Sequence, residues 1–253
     1  PLHLAGAQVY PDAEKKSVRR KVRLASPEDI RNRMQLEVRA TAWNTEKEHR
    51  VRPLEFGLEK GQAEYDFDFP LGEEALLWSE YDPALYRLEV EPPGHDRLSV
   101  DFGLRDFCAE GKHFAINGMT TFLRGKHDAC VFPLTGHTAM DVATWRLYFR
   151  VAKSYGINHY RFHSWCPPEA CFEAADIEGI YLQAELPFWG WMGKDNTRLI
   201  SYLREEGLRI QQEYGHHASF VMFALGNELS GDFEVMQSLV DTFRQADHRH
   251  LYA

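Results

Sequence analysis

The segment Ser219-Phe-Val-Met-Phe-Ala-Leu-Gly-Asn-Glu228 sets an amide and a carboxylate side by side where an apolar run breaks off. A buried strand that stops at glycine and then delivers Glu228 withdraws water from that carboxylate unless it is paired. Lost hydration favours the protonated form, so Glu228 is a general-acid candidate. A second reading makes Asn227 and Glu228 caps of a following helix. Asp232 opens a run that places Phe233, Met236, Val240 and Phe243 on one helical face.

Other polar residues fall at comparable places. His127-Asp128, Arg161 with His163, and Glu185 each end a short apolar stretch, as Asn227-Glu228 does. Arg161 reads either as a substrate contact or as an ion-pair partner of Glu185 or Glu228, and its charge tunes the acid in both cases. His127 and His163 are substrate contacts or satisfied core histidines. Glu185, ahead of Leu186-Pro187, orients the site rather than reacting. Trp189 and Trp191 flank Gly190, and a flat indole there either stacks on a bound ligand or packs in a core.

The elements that must hold these residues change character near residue 106. Before it the period is two: Met34, Leu36, Val38 and Ala40 against Gln35, Glu37, Arg39 and Thr41, then Ala63, Tyr65, Phe67 and Phe69 against Glu64, Asp66 and Asp68. Val18 to Leu24 and Tyr86 to Val90 repeat the pattern, with Pro-Gly or charged turns between. About seven strands are expected over residues 1–105, a two-sheet sandwich of immunoglobulin type. Over residues 106–253 strand-like and helical runs alternate, which implies a parallel sheet. Thr121 to His127 is the first expected strand. Asp141 caps a helix with Val142, Trp145, Phe149 and Ala152 on one face, ending at Gly156. Asn158 to Ser164 is the second strand. Pro167-Pro168 starts a helix that stops at Gly179, and Tyr181 to Leu186 is the third strand. Leu199, Leu203 and Ile210 mark the next helix, and Val221 to Leu225 is the fourth strand. The polar residues above then sit at the C-terminal ends of four successive strands, the end where βα barrels carry their active sites.

Composition narrows the classes. The chain has 253 residues, 44% hydrophobic and 26% charged, with no apolar run long enough to span a bilayer. A formal charge of -9, with both signs interspersed, offers no continuous basic surface for nucleic acid. Arg19-Arg20-Lys21 is the densest basic cluster and reads as a solvated strand face among Val18, Val22 and Leu24. Cys108, Cys130, Cys166 and Cys171 fit neither a disulfide framework nor a zinc pattern, so buried free thiols are expected. The compartment is not legible.

In order along the chain stand Leu77-Trp78-Ser79-Glu80, Pro83-Ala84-Leu85-Tyr86, Phe102-Gly103-Leu104-Arg105, Ile116-Asn117-Gly118, Leu123-Arg124-Gly125 and Gly226-Asn227-Glu228. Through these pieces, over nearly its whole length, the chain resembles glycoside hydrolase family 2, the β-galactosidases, β-glucuronidases and β-mannosidases. The resemblance implies a multidomain protein: an all-β immunoglobulin-like sandwich followed by an α/β (β/α)8 TIM barrel, of which about four βα units are present. It implies a retaining exo-β-glycosidase acting on a carbohydrate, with Glu228 as acid/base and Asn227 holding the sugar 2-hydroxyl. Arg161, His163, Glu185, His127 and Trp189 would be its substrate contacts.

A retaining mechanism needs a second carboxylate about 5 to 5.5 Å from the first. The family takes it from a seventh strand, whereas Leu251-Tyr252-Ala253 reads as the start of a fifth. The chain is therefore expected to be a fragment, inactive alone, whose open sheet edges and apolar inner face favour association into oligomers. No cofactor is implied, since the residues form no dedicated cation cage. Arg161 and His163 are separated by one residue where galactosidase-like members have two, so a sugar other than galactose is expected. Two alternatives stand beside this reading. One is a metal-dependent barrel hydrolase built on His127, Asp128, His163 and Glu185, although no H-x-H or H-E-x-x-H spacing supports it. The other is a carbohydrate-binding module without catalysis, for which only Trp43 and Trp78 offer exposed aromatics.

Overall fold

Period-two sequence becomes paired strand through the first unit, residues Pro1–Asp106. The computed structural model describes residues 3–30, 35–91 and 97–253, and their side chains apart from residues 3–7 and 27. Met34 and the Pro-Gly turn of the expected pattern lie outside these. The strands are β1 (His3–Asp12), β2 (Ser17–Ala25), β3 (Gln35–Ala42), β4 (Leu54–Gly57), β5 (Glu64–Pro70), β6 (Tyr86–Glu91) and β7 (Leu98–Phe102). They form two antiparallel sheets, ordered β1-β2-β5 and β4-β3-β6-β7. Alternate residues of both sheets, among them Val9, Val18, Val22, Leu36, Val38, Phe69, Leu88 and Phe102, share one buried cluster. Burying such faces against each other is what makes two amphipathic sheets stable in water.

Two expectations fail in this unit. Arg20 does not lie on a solvated face. The same alternation that buries Val18 and Val22 also buries Arg20, and none of its side-chain nitrogens has a hydrogen-bond partner among the described residues. Burial pushes its guanidinium down to about 9. Its neighbour Arg19 does face out and pairs with Asp66. Trp78, expected to be exposed, is fully buried, and Trp43 lies beneath the Arg87 guanidinium, 5.0 Å from its ring centre.

The second unit, Phe107–Ala253, opens with an antiparallel meander of β8 (Phe107–Glu110), β9 (His113–Ile116) and β10 (Met119–Thr121). Asn117 and Gly118 link β9 to β10 with φ of 53° and 76°, the left-handed pair that tight hairpins require. The expected strand from Thr121 to His127 is thus split. Thr121 ends the meander, and the parallel sheet begins only at Gly125, after the Asn158 side chain has bonded the backbone at Phe122 and Arg124.

From there the order is β11 (Gly125–Asp128), α1 (Val142–Ser154), β12 (His159–Phe162), α2 (Glu169–Glu178), β13 (Tyr181–Glu185), β14 (Trp189–Met192), α3 (Thr197–Tyr214), β15 (Phe220–Ala224), β16 (Asn227–Gly231), α4 (Phe233–Ala246) and β17 (Leu251–Tyr252). Five strands pair in parallel as β11-β12-β13-β15-β17. Asp141 caps α1, accepting from the Thr144 N–H at 2.8 Å, and Gly179 ends α2 with φ 68°. Trp145, Phe149 and Phe172 of the helices pack on Tyr160, Phe162, Leu182, Ala184 and Phe223 of the sheet. Phe233, expected on the core face of α4, is exposed, and Leu239 and Phe243 are buried in that helix. Among the described residues no helix is long and apolar enough to cross a membrane.

The strand register also disposes of the expected apolar inner face. On the side away from the core helices, His127 lies beside Arg161, Arg161 beside Gln183, and Gln183 beside Met222. Three of those four residues are polar, and all are at least partly open to solvent. One layer nearer the strand starts, Gly125 lies beside His159 and His159 beside Tyr181, both of the latter buried. A Cβ on Gly125 would stand 2.9 Å from His159 Nδ1, so glycine makes room for that ring. Burial and the nearby Arg161 push the His159 imidazole down to about 4. Phe107 of the meander lies against Tyr181 at 5.4 Å between ring centres.

Candidate active site

Residues two apart on a strand share a face, so the polar layer continues to the C-terminal strand ends with His163 above Arg161 and Glu185 above Gln183. There Arg161 acts as a bridge. Its Nε donates to Glu185 Oε1 at 2.6 Å, and its second terminal nitrogen donates to Asn227 Oδ1 at 2.9 Å. Glu185 is fully buried and also accepts from the Ser164 N–H at 2.7 Å and from Gln183 Nε2 at 3.5 Å. A buried carboxylate demands such compensation, and Arg161 and the backbone supply it. Glu185 therefore orients Arg161, which in turn orients Asn227.

Asn227 and Glu228 do not cap α4, which begins five residues later at Phe233. They open β16, which pairs in parallel with β14, a two-stranded ribbon beyond the sheet that the sequence did not reveal. Asn227 is buried, whereas Glu228 is exposed. The expectation that these residues would leave Glu228 poorly hydrated is thus wrong. The end of the apolar strand buries its neighbours, but the carboxylate emerges on the open side of the ribbon. It is nevertheless held: Trp189 Nε1 donates to Glu228 Oε2 at 2.9 Å.

The rings beside it form a row. Trp189 meets His163 edge-on at 4.9 Å between centres, and His163 meets His127 edge-on at 4.8 Å. Glu228, Asn227, Arg161, His163, Glu185, His127 and Trp189 are thus joined by direct contacts into two linked groups. Asn227 and Glu228, adjacent in sequence, connect the arginine bridge to the aromatic row.

Asp128 does not join them. It belongs to the opposite face of β11, where its carboxylate pairs with Lys126 at 2.6 Å and accepts from the Cys130 N–H at 3.0 Å. With Glu185 engaged by Arg161, the four ligands of the metal-dependent alternative do not converge. Among the described residues there is no group of three or more His, Cys, Asp or Glu able to hold a metal ion.

The sequence reading missed Ser164 and Gln183 and did not see what Gly190 and Gly226 do in the ribbon. Ser164 supplies its N–H to Glu185 from a left-handed backbone, φ 59°. Gln183 shares the face of Glu185, which period two would have indicated. Gly190 and Gly226, with φ of 121° and 133°, shape the ribbon. A Cβ on Gly226 would stand 2.1 Å from the Phe188 carbonyl oxygen, so only glycine lets β16 start there.

Sequence and structure comparisons find proteins similar to this chain, although no family model matches. The chain is 28% identical over 198 residues to a β-glucuronidase of Paenibacillus borealis, covering 69% of this chain and 33% of the relative. It is 27% identical over 163 residues to β-galactosidase 2 of Enterobacter cloacae, covering 60% of this chain and 16% of the relative. A crystal structure described as a glycosyl hydrolase family 2 member from Bacteroides cellulosilyticus superposes with a TM-score of 0.76 at 20% identity. That match covers 99% of this chain and 36% of the other. At that identity the likeness is one of fold. The chain spans a third or less of the length of these two curated relatives.

Proposed function

We propose that this chain, a relative of the glycoside hydrolase family 2 β-galactosidases and β-glucuronidases, carries the acid/base half of a retaining exo-β-glycosidase site. In this reading residues 1–105 are an immunoglobulin-like sandwich. Residues 106–253 are the first half of a (β/α)8 barrel, with β11, β12, β13 and β15 as its first four strands. The observation that carries the proposal is the pairing of Asn227 and Glu228 at the end of β15, the one fixed by Arg161 and the other by Trp189.

The chemistry follows from that pair. Glu228 protonates the glycosidic oxygen as its bond to the anomeric carbon breaks, then takes a proton from the water that releases the sugar. Asn227 has its carbonyl oxygen committed to Arg161, which turns its NH2 group toward the substrate. It would donate to the sugar 2-hydroxyl, a contact that strengthens as the ring approaches an oxocarbenium ion. Arg161 and Glu185 set the orientation of Asn227. His127, His163 and the indole face of Trp191 line the remaining surface for the sugar, while Trp189 meets Glu228 through its N–H. Glu185 is too deeply buried beneath Arg161 to attack, so the nucleophile is assigned to a part of the polypeptide outside these residues.

The test uses the full-length polypeptide on a panel of nitrophenyl β-glycosides, with proton NMR of the first product formed. The proposal expects turnover of at least one β-glycoside and release of the β-anomer first. Release of the α-anomer, or no turnover of any β-glycoside, overturns it.

A further inference from the structure

We infer that Trp189 is the positioning residue of the acid/base: its indole N–H fixes one oxygen of Glu228 and leaves the other free to face the departing oxygen of the glycoside. This rests on the reading of Glu228 as acid/base. Among the described residues Trp189 is the sole hydrogen-bond partner of that carboxylate, at 2.9 Å from Oε2. A carboxylate with one oxygen tied and the other open presents a single proton-carrying atom in a defined direction. That is what proton transfer to a bridging oxygen requires.

The backbone is built to make this contact. Trp189 pairs with Asn227, but Trp191 pairs with Ser230, so β16 spends one more residue than β14 over the same stretch. The extra residue falls at Glu228-Leu229, opposite Gly190. Glu228 sits at φ 45° and Gly190 at φ 121°. Such a bulge turns a side chain out of the regular alternation, and a left-handed glutamate is a strained conformation that persists only where the surroundings impose it. Gly226 and Gly231 bracket the bulge. A Cβ on either would stand 2.1 or 2.3 Å from a carbonyl oxygen of Phe188 or Met192. From the other side the Trp189 ring rests edge-on against His163. Trp189 is therefore held by its strand and by His163, and it holds Glu228 in turn.

During bond cleavage Oε2 keeps the indole hydrogen bond. The proton on Oε1 passes to the glycosidic oxygen as that oxygen leaves the anomeric carbon, which the nucleophile captures. Trp189→Phe in the full-length polypeptide keeps an aromatic ring at this position and removes the N–H together with the five-membered ring that carries it, and Trp189 is exposed enough that the core is untouched. For a poor leaving group kcat is expected to fall about tenfold with KM within about twofold, since one hydrogen bond to a charged group carries roughly that factor. Bond cleavage in an activated aryl glycoside, read as kcat/KM, should be nearly unaffected, and in the Glu228→Gln background Trp189→Phe should cost nothing more. A rise in KM at constant kcat would make Trp189 a stacking platform instead. Equal losses for both leaving groups, or full additivity with Glu228→Gln, would also overturn the inference. If Glu228→Gln itself lacks leaving-group dependence, the acid/base reading fails as well. If only Trp189→Phe lacks it, this inference fails alone.

Discussion

Arg161 reaches Glu185 at 2.6 Å while the Glu185 side chain is wholly removed from solvent. The pair is the anchor of the strand-end layer, because the same guanidinium continues to Asn227. Removing the cation strands a buried negative charge, so Arg161→Ala should destabilise the protein by about 3 kcal/mol. Adding Glu185→Gln should recover much of that loss. Chemical denaturation of the two variants checks this. Arg161→Lys keeps the charge but cannot bridge two acceptors with a planar fork, and should retain stability better than alignment of Asn227.

The ribbon makes a sharper demand at Gly226 than the chain makes at Gly156. Gly156 has φ 80° with nothing within 4 Å of its virtual Cβ, whereas at Gly226 a backbone oxygen stands 2.1 Å away. Gly156→Ala should cost about 1 kcal/mol, the conformational penalty alone. Gly226→Ala should cost clearly more, or displace β16 from β14. Thermal melts of both variants, read beside tryptophan emission, distinguish them.

Arg20 is fully buried, and among the described residues its guanidinium has no hydrogen-bond partner. Arg20→Met fits the same space without it and should raise stability by about 1 to 4 kcal/mol. The midpoint of a denaturant titration should move up. A move down would mean that Arg20 has compensation supplied from elsewhere.

Much of the scaffold could be read from residue order. Asp141 caps a helix because its carboxylate sits three residues before a free N–H, and Gly179 ends the next because only the left-handed region continues the chain there. These are local rules. The polar strand ends were legible for the same reason, each being a change of residue type at the end of an apolar run. Arg20 was misread although the pattern held the answer: even-numbered residues of β2 face inward, and Arg20 is even-numbered. The ribbon of β14 and β16 was not legible. Trp-Gly-Trp-Met carries no alternation, and its register depends on a bulge formed with a segment 38 residues away along the chain, from Trp189 to Asn227. The exposure of Glu228 was hidden too, because solvent access follows from what packs nearby rather than from the strand that precedes a residue.

The central claim is that Glu228 gives a proton to the leaving group, and Glu228→Gln in the full-length polypeptide tests it most directly, because an amide occupies the same space and cannot donate that proton. With KM little changed, turnover of a glycoside with a poor leaving group should fall by about 10² to 10⁴, while a dinitrophenyl glycoside, which needs no protonation, should lose far less in bond cleavage. Equal losses for the two substrates, or none for either, would contradict the account.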